Sequence, residues 1–144
     1  MDTKENSILI VDDESLNIIA LSHILSPDYT IYVEKSGQGC IESARALKPD
    51  LILLDVIMPE MDGFEVIKIL KEDPETHDIP VVFITGLNSS KDEERGFNLG
   101  ASDYVNKPFS AIVVKLRVKN QMQIVNQMRS IKKFNNNSAL TCTN

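Results

Sequence analysis

The chain is punctuated by apolar runs that are too short for helices and that end in polar residues, and this repetition limits its folds more than any other feature. Ser7-Ile-Leu-Ile-Val11, Leu51-Ile-Leu-Leu54 and Ile79-Pro-Val-Val-Phe-Ile84 read as strands buried on both faces. Tyr29-Thr-Ile-Tyr-Val33 and Ser102-Asp-Tyr-Val105 are shorter runs of the same kind. Each run is followed by a stretch with helical periodicity. Five such alternations argue for one parallel sheet with helices on both faces, and right-handed crossovers then bring all five strand C-termini to a single edge.

The helical stretches differ in how clearly they are marked. The first places Leu16, Ile19, Ala20, His23 and Ile24 at helical spacing until Ser26-Pro27 stops it, with Ser15 or its neighbour as the cap. His23 on that stripe reads as a helix residue at the core margin. The second begins at Ser36-Gly-Gln-Gly39; Glu42 stands where a phosphate-binding loop needs its third glycine, so the glycines read as a loose helix start. Phe64, Val66, Ile67 and Leu70 describe a third helix, closed by a polar loop in which His77 is a surface residue. Asn88-Ser-Ser90 followed by Asp92 and Glu93 opens a short fourth helix. The last runs from Ser110 to about Phe134, with Val114, Val118, Val125 and Met128 approximating a heptad stripe around Gln121, widened by Met122 and Ile131. A body over 7–121, a helical extension or linker over 122–134 and a disordered tail over 135–144 are expected.

A chain of 144 residues suits one domain. No apolar run reaches the length of a membrane span, and the N-terminus lacks the basic-then-apolar layout of a secretory signal, which points to the cytoplasm and away from a membrane. Two cysteines, Cys40 and Cys142, suggest neither a disulfide framework nor a zinc site. The net charge of −6 is unevenly spread. No acid follows Asp103, while seven bases run from Lys107 to Lys133, so the part before Lys107 carries 8 bases against 21 acids. An acidic body disfavours nucleic acid and favours cations.

The shared strand edge collects Asp12, Asp13, Asp55, Thr85 and Lys107. Carboxylates held in one cleft either raise a pKa or hold a cation, and oxygen-only ligands suit Mg²⁺. Lys107 and Thr85 add a positive charge and a hydroxyl, groups fitted to a transferred phosphoryl, and a carboxylate can itself be the nucleophile. Asp55, on the central strand, is the candidate. Spacing alone leaves open a purely structural ion pair between Lys107 and Asp55.

Ile10-Val-Asp-Asp13, Leu53-Leu-Asp-Val-Ile-Met-Pro-Glu-Met-Asp-Gly63, Ile84-Thr-Gly86 and Gly100-Ala-Ser-Asp-Tyr-Val-Asn-Lys-Pro-Phe109 occur in that order, and together they resemble the receiver domain of two-component response regulators. The resemblance covers about Ser7 to Lys119. It implies a flavodoxin-like, doubly wound five-stranded parallel sheet in the order 2-1-3-4-5 with five helices, the last one extended. It implies further that Asp55 accepts a phosphoryl group from a phosphohistidine on a sensor histidine kinase or histidine phosphotransfer protein. Asp12 and Asp13 would hold Mg²⁺ with Asp55 and the backbone carbonyl of Ile57. Lys107 and Thr85 would meet the phosphoryl oxygens, Gly86 would leave room for them, and the Lys107–Pro108 peptide would be cis. Tyr104 would be the switch aromatic that alters the face formed by the fourth helix, fifth strand and fifth helix, controlling an output domain or partner. Ile57 and Leu87 fall at positions that tune hydrolysis, and both are apolar. Such a module catalyses only its own phosphorylation and dephosphorylation.

An aspartyl-phosphate hydrolase of haloacid-dehalogenase type is the alternative, although it needs a second acid two residues after the nucleophile, where Ile57 stands. A flavin binder shares the layout, but acids at the strand ends would repel the flavin phosphate. The long last helix suggests pairing with another copy, through its extension or through the face it shares with the fourth helix and fifth strand. A helix folded back on its own body is the simpler option.

Overall fold

The computed structural model describes residues 4–142, with side chains as far as residue 135. Strands β1 (Ser7–Val11), β2 (Thr30–Glu34), β3 (Leu51–Leu54), β4 (Val81–Thr85) and β5 (Asp103–Asn106) alternate with helices α1 (Ser15–Leu25), α2 (Gly37–Leu47), α3 (Gly63–Glu72), α4 (Ser90–Asn98) and α5 (Ala111–Cys142). All strand pairings are parallel, in the order β2-β1-β3-β4-β5. This is the doubly wound arrangement expected from the alternation. β1, β3 and β4 are almost wholly buried, which is why their sequences run apolar without alternation.

Two apolar layers cover the sheet. Leu9, Val11, Ile52, Leu54, Val81 and Phe83 pack with α2 and α3 on one face, while Ile8, Ile10, Leu51, Leu53, Val82 and Ile84 pack with α1 and α5 on the other. The alternation of strand side chains divides each continuous run between the layers. Gly37 is a packing residue: a Cβ there would lie 2.7 Å from Val66, so the glycine lets α2 approach α3.

The structure reverses the expected face of α1. Leu16 and Ile19 are 80% and 62% exposed and His23 is exposed with them, whereas Ile18, Leu21 and Leu25 enter the core. This helix is apolar nearly all round, so spacing selects no face; the path of the crossover from β1 does. Its N-cap is Glu14, whose side chain makes no capping bond, rather than Ser15.

Helix α5 also departs from expectation. Val114, Val118 and Met122 do face the core, but Met128 and Ile131 are exposed, and a second exposed stripe adds Ile112, Leu116, Ile124 and Phe134. The expected stripe therefore splits between core and solvent. The helix continues to Cys142, through the segment expected to be a disordered tail; Asn135-Asn-Asn-Ser138 are weak helix formers but contain neither Gly nor Pro to stop propagation. Residues 143–144 lie outside the described residues. Beyond the core contacts, Asn126 and Asn6 exchange side-chain amide hydrogen bonds of 3.1 and 3.3 Å, and Arg129 pairs with the buried Asp50. Contact with the body thus reaches Arg129, past the boundary expected at 121. Among the described residues no helix is long and apolar enough to cross a membrane.

Candidate functional site

Parallel register assembles the site. Val11 pairs with Leu54, and Asp55 N–H donates to Val11 C=O at 3.0 Å, so the residues that follow these strands, Asp12 and Asp55, emerge side by side. Thr85 pairs with Asn106, and Lys107 N–H donates to Thr85 C=O at 2.9 Å, placing Lys107 immediately beyond β5. Every residue expected at the edge is therefore there because its strand ends there.

Asp55 is 5% exposed and Asp12 2% exposed, while Asp13 faces solvent. One carboxylate oxygen from each of the three lies within 4.8 Å of the others, a cluster of hard oxygen donors whose chemistry fits Mg²⁺. Lys107 Nζ donates to Asp12 Oδ2 at 2.8 Å and to Asp55 Oδ2 at 3.0 Å. Asp12 Oδ1 also accepts from Glu14 N–H at 2.9 Å, and Asp55 Oδ1 accepts from Ile57 N–H at 3.3 Å. The backbone of Ile57 thus lies against Asp55 while its side chain is exposed. That apolar side chain supplies no acid or base, which removes the chemistry the hydrolase alternative requires.

Burial raises the Asp55 carboxyl above the usual carboxylate range; the hydrogen bond and charge of Lys107 oppose this, and the charge of Asp12 adds to it. For Lys107, burial acts to lower the ammonium pKa, but hydrogen bonds and charge from Asp12 and Asp55 outweigh it and raise the value. The lysine is therefore a fixed cation between two carboxylates. A buried carboxylate with one such counter-charge retains a free lone pair for bond formation.

Thr85 is fully buried, and its Oγ1 accepts from Leu87 N–H at 3.3 Å. Leu87 C=O in turn accepts from the Tyr104 hydroxyl at 2.5 Å. This chain from Thr85 through Leu87 to Tyr104 was not legible in the sequence, which assigned Leu87 only to hydrolysis. The Tyr104 ring is buried, packed against Phe83 and Phe97. Its phenol is pushed up to about 12 by burial and by the charges of Asp92, Glu93 and Asp55, so it remains a donor.

Two glycines differ in their importance. A Cβ on Gly63 would lie 2.4 Å from the Asp55 carbonyl oxygen and 2.8 Å from Val56 Cα, so only glycine closes the loop behind Asp55. At Gly86 a Cβ would meet nothing within 4 Å, so space beside Thr85 exists and glycine is not sterically required for it. The Lys107–Pro108 peptide is cis, as the resemblance implied.

This fold and this strand edge define a doubly wound α/β protein with an acidic, lysine-bearing site at its C-terminal edge. The chain belongs to the response regulator receiver domain family, which residues 8–119 match. It is 45% identical over 122 residues to a Vibrio cholerae protein described as "Probable cyclic di-GMP phosphodiesterase", covering 85% of this chain and 28% of that one. It is 42% identical over 113 residues to response regulator PleD of Caulobacter vibrioides, covering 78% and 25%. Among solved structures, the signal receiver domain of a signal transduction histidine kinase from Syntrophus aciditrophicus is 34% identical with a TM-score of 0.75, covering 82% of this chain and 90% of that one. Chemotaxis protein CheY4 of Vibrio cholerae is 26% identical with a TM-score of 0.76, covering 80% and 97%. The chain spans about a quarter of the length of these two curated relatives. It is thus a receiver domain of two-component signalling.

Proposed function

We propose that Asp55 is the phosphoacceptor and that its phosphorylation switches the face formed by α4, β5 and α5. The observation that carries this reading is the pairing of Lys107 Nζ with both Asp55 and Asp12, which places a fixed cation where an incoming phosphoryl oxygen needs one. An Asp55 carboxylate oxygen attacks the phosphorus of a partner phosphohistidine. The O–P bond forms as the P–N bond breaks, and the departing imidazole nitrogen takes a proton from solvent. Lys107 and the Thr85 hydroxyl bind two phosphoryl oxygens. Mg²⁺ held by Asp12, Asp13, Asp55 and the Ile57 carbonyl would neutralise charge on the transferred group.

The donor is a sensor histidine kinase or histidine phosphotransfer protein. Exposed Leu16 and Ile19 on α1, together with exposed Ile57, flank the carboxylates and offer apolar area for such a partner to cover. The Thr85 hydroxyl oxygen accepts from Leu87 N–H, so movement of that hydroxyl toward the phosphoryl group, to which it donates, lengthens the bond, and Leu87 C=O holds Tyr104. The signal passes by this route to a face that also exposes Phe97, Ile112 and Leu116, where a second copy or an output domain docks. The module acts in the cytoplasm and turns over no substrate besides its own phosphoryl group.

Incubation with a small acyl-phosphate donor and Mg²⁺ tests this reading by intact mass. One phosphoryl group should be gained by the natural chain and none by Asp55→Asn; full labelling of that variant overturns the assignment.

A further inference from the structure

Aromatic rings run in contact from the loop behind Asp55 to α4. Phe64 follows Gly63, the residue that closes that loop, and meets Phe83 edge-on with centroids 5.5 Å apart and planes at 71°. Phe83 meets Tyr104 at 5.9 Å, and Tyr104 meets Phe97 at 6.5 Å. Phe83 pairs in register with Tyr104 and lies on the same face of β4 as Thr85, so this column stands one pleat behind the Thr85 hydroxyl. We propose that Arg95 is a positioning residue of the switch: its guanidinium, seated over Phe64, holds α4 against α3 in the arrangement that precedes phosphorylation. The proposal rests on the reading of Asp55 as phosphoacceptor.

The Arg95 guanidinium carbon lies 4.4 Å from the centre of the Phe64 ring, within reach of a cation–π contact. Its surroundings in sequence favour ion pairing instead, since Asp92, Glu93 and Glu94 precede it on α4. It nevertheless makes no ion pair among the described residues. The ring holds the arginine where three neighbouring acids do not. Gly96, the next residue, is the second point of attachment. A Cβ there would lie 3.2 Å from both Phe83 and Tyr104, so the helix backbone rests directly on those two rings. Gly96 is also the one buried residue of α4, and a helix with so shallow a seat depends on its few contacts.

Two hydrogen bonds mark this as the arrangement before transfer: Thr85 Oγ1 accepts from Leu87 N–H, and Lys107 Nζ donates to Asp55 itself. The Tyr104 hydroxyl is held by the Leu87 carbonyl, on the loop that leads into α4. When Thr85 turns to a phosphoryl group, that loop and Tyr104 are displaced, and α4 follows because Gly96 seats it on the Tyr104 ring. Phe64 does not follow. It belongs to α3, which Gly63 fixes to the Asp55 loop. The contact between Arg95 and Phe64 is therefore made in one arrangement and lost in the other, and it opposes the switched form by its own worth.

Titration of the ¹⁵N-labelled 144-residue chain with fluoroberyllate, a phosphoryl mimic, in the presence of Mg²⁺ tests the proposal by NMR. Arg95→Met, at an exposed position, should bind the mimic about two- to fivefold more tightly than the natural chain, the worth of an exposed cation–π contact. The sign is diagnostic. Removing a positive charge by itself disfavours an anion, and structural damage weakens binding, so neither produces the gain. Arg95→Lys, which keeps the cation and loses the planar guanidinium, should fall between the two. In a Phe64→Leu background, Arg95→Met should add little. In the natural chain, the upfield ring-current shift of the Arg95 side-chain protons should disappear at saturation. The proposal is overturned if Arg95→Met binds equally or more weakly, if its gain is undiminished without Phe64, or if the ring-current shift persists at saturation. A natural chain that does not bind the mimic, or an Asp55→Asn variant that binds it as well, removes the phosphoacceptor reading and this proposal with it.

Discussion

Lys107 Nζ sits 3.0 Å from Asp55 Oδ2, across fifty-two residues of sequence, and shares its charge with Asp12 at 2.8 Å. The pairing only partly offsets the cost of burying Asp55, whose carboxyl is still pushed above its ordinary value. A functional site that stores unfavourable charge should be detectable as a loss of stability.

Asp55→Asn should therefore stabilise the fold at neutral pH, by about 1 kcal/mol in urea denaturation. Its oxygen can still accept from Lys107, and Asp12 keeps its pairing. The sign follows from the raised folded-state pKa: the penalty is absent below the unfolded carboxyl value and grows as pH rises through the folded one. The difference between natural chain and variant should shrink as pH falls through that window. Equal stability at neutral pH would contradict this account of Asp55.

Gly63→Ala should be severe because the clash is with backbone that cannot rotate away. A loss of about 2–4 kcal/mol is expected, with slower phosphoryl uptake as the Asp55 loop shifts. Gly86→Ala is the control, expected within about 0.5 kcal/mol of the natural chain. Comparable losses in thermal unfolding for the two variants would remove Gly63 as the residue that closes the loop behind Asp55.

The phosphorylated form should be long-lived. Neither the Ile57 nor the Leu87 side chain can orient an attacking water, so decay followed by intact mass should take hours. Ile57→Asn, which puts a hydrogen-bonding group at that place, should shorten the lifetime. Decay within seconds in the natural chain is the outcome that counts against this reading.

Arg129→Ala tests whether the α5 extension is held by the body. The Arg129 side chain is half exposed, so its pairing with Asp50 is worth about 1 kcal/mol or less. Asp50 would keep its bond from Ser7 N–H at 2.8 Å, so the strand ends should stay intact. Amide exchange should accelerate from about residue 124 onward and remain unchanged in β1 and β3. Uniform acceleration, or none, would show that this contact does not anchor the helix.

The local sequence determined the strands and their end residues. A run such as Leu51–Leu54 is too short for a helix and too apolar for an edge, and strand ends in a parallel sheet share one edge, so Asp12, Asp55, Thr85 and Lys107 could be grouped before any coordinates. Only the tertiary structure decided which face of α1 turns inward, because Leu16 and Ile18 are equally apolar and helical spacing does not choose between them. It also decided that Asn126 meets Asn6 across a separation of 120 residues and that Leu87 joins Thr85 to Tyr104. These relations depend on where separate elements come to rest against one another. Local periodicity carries no record of that, since a side chain's partner across the fold leaves no mark in the residues beside it.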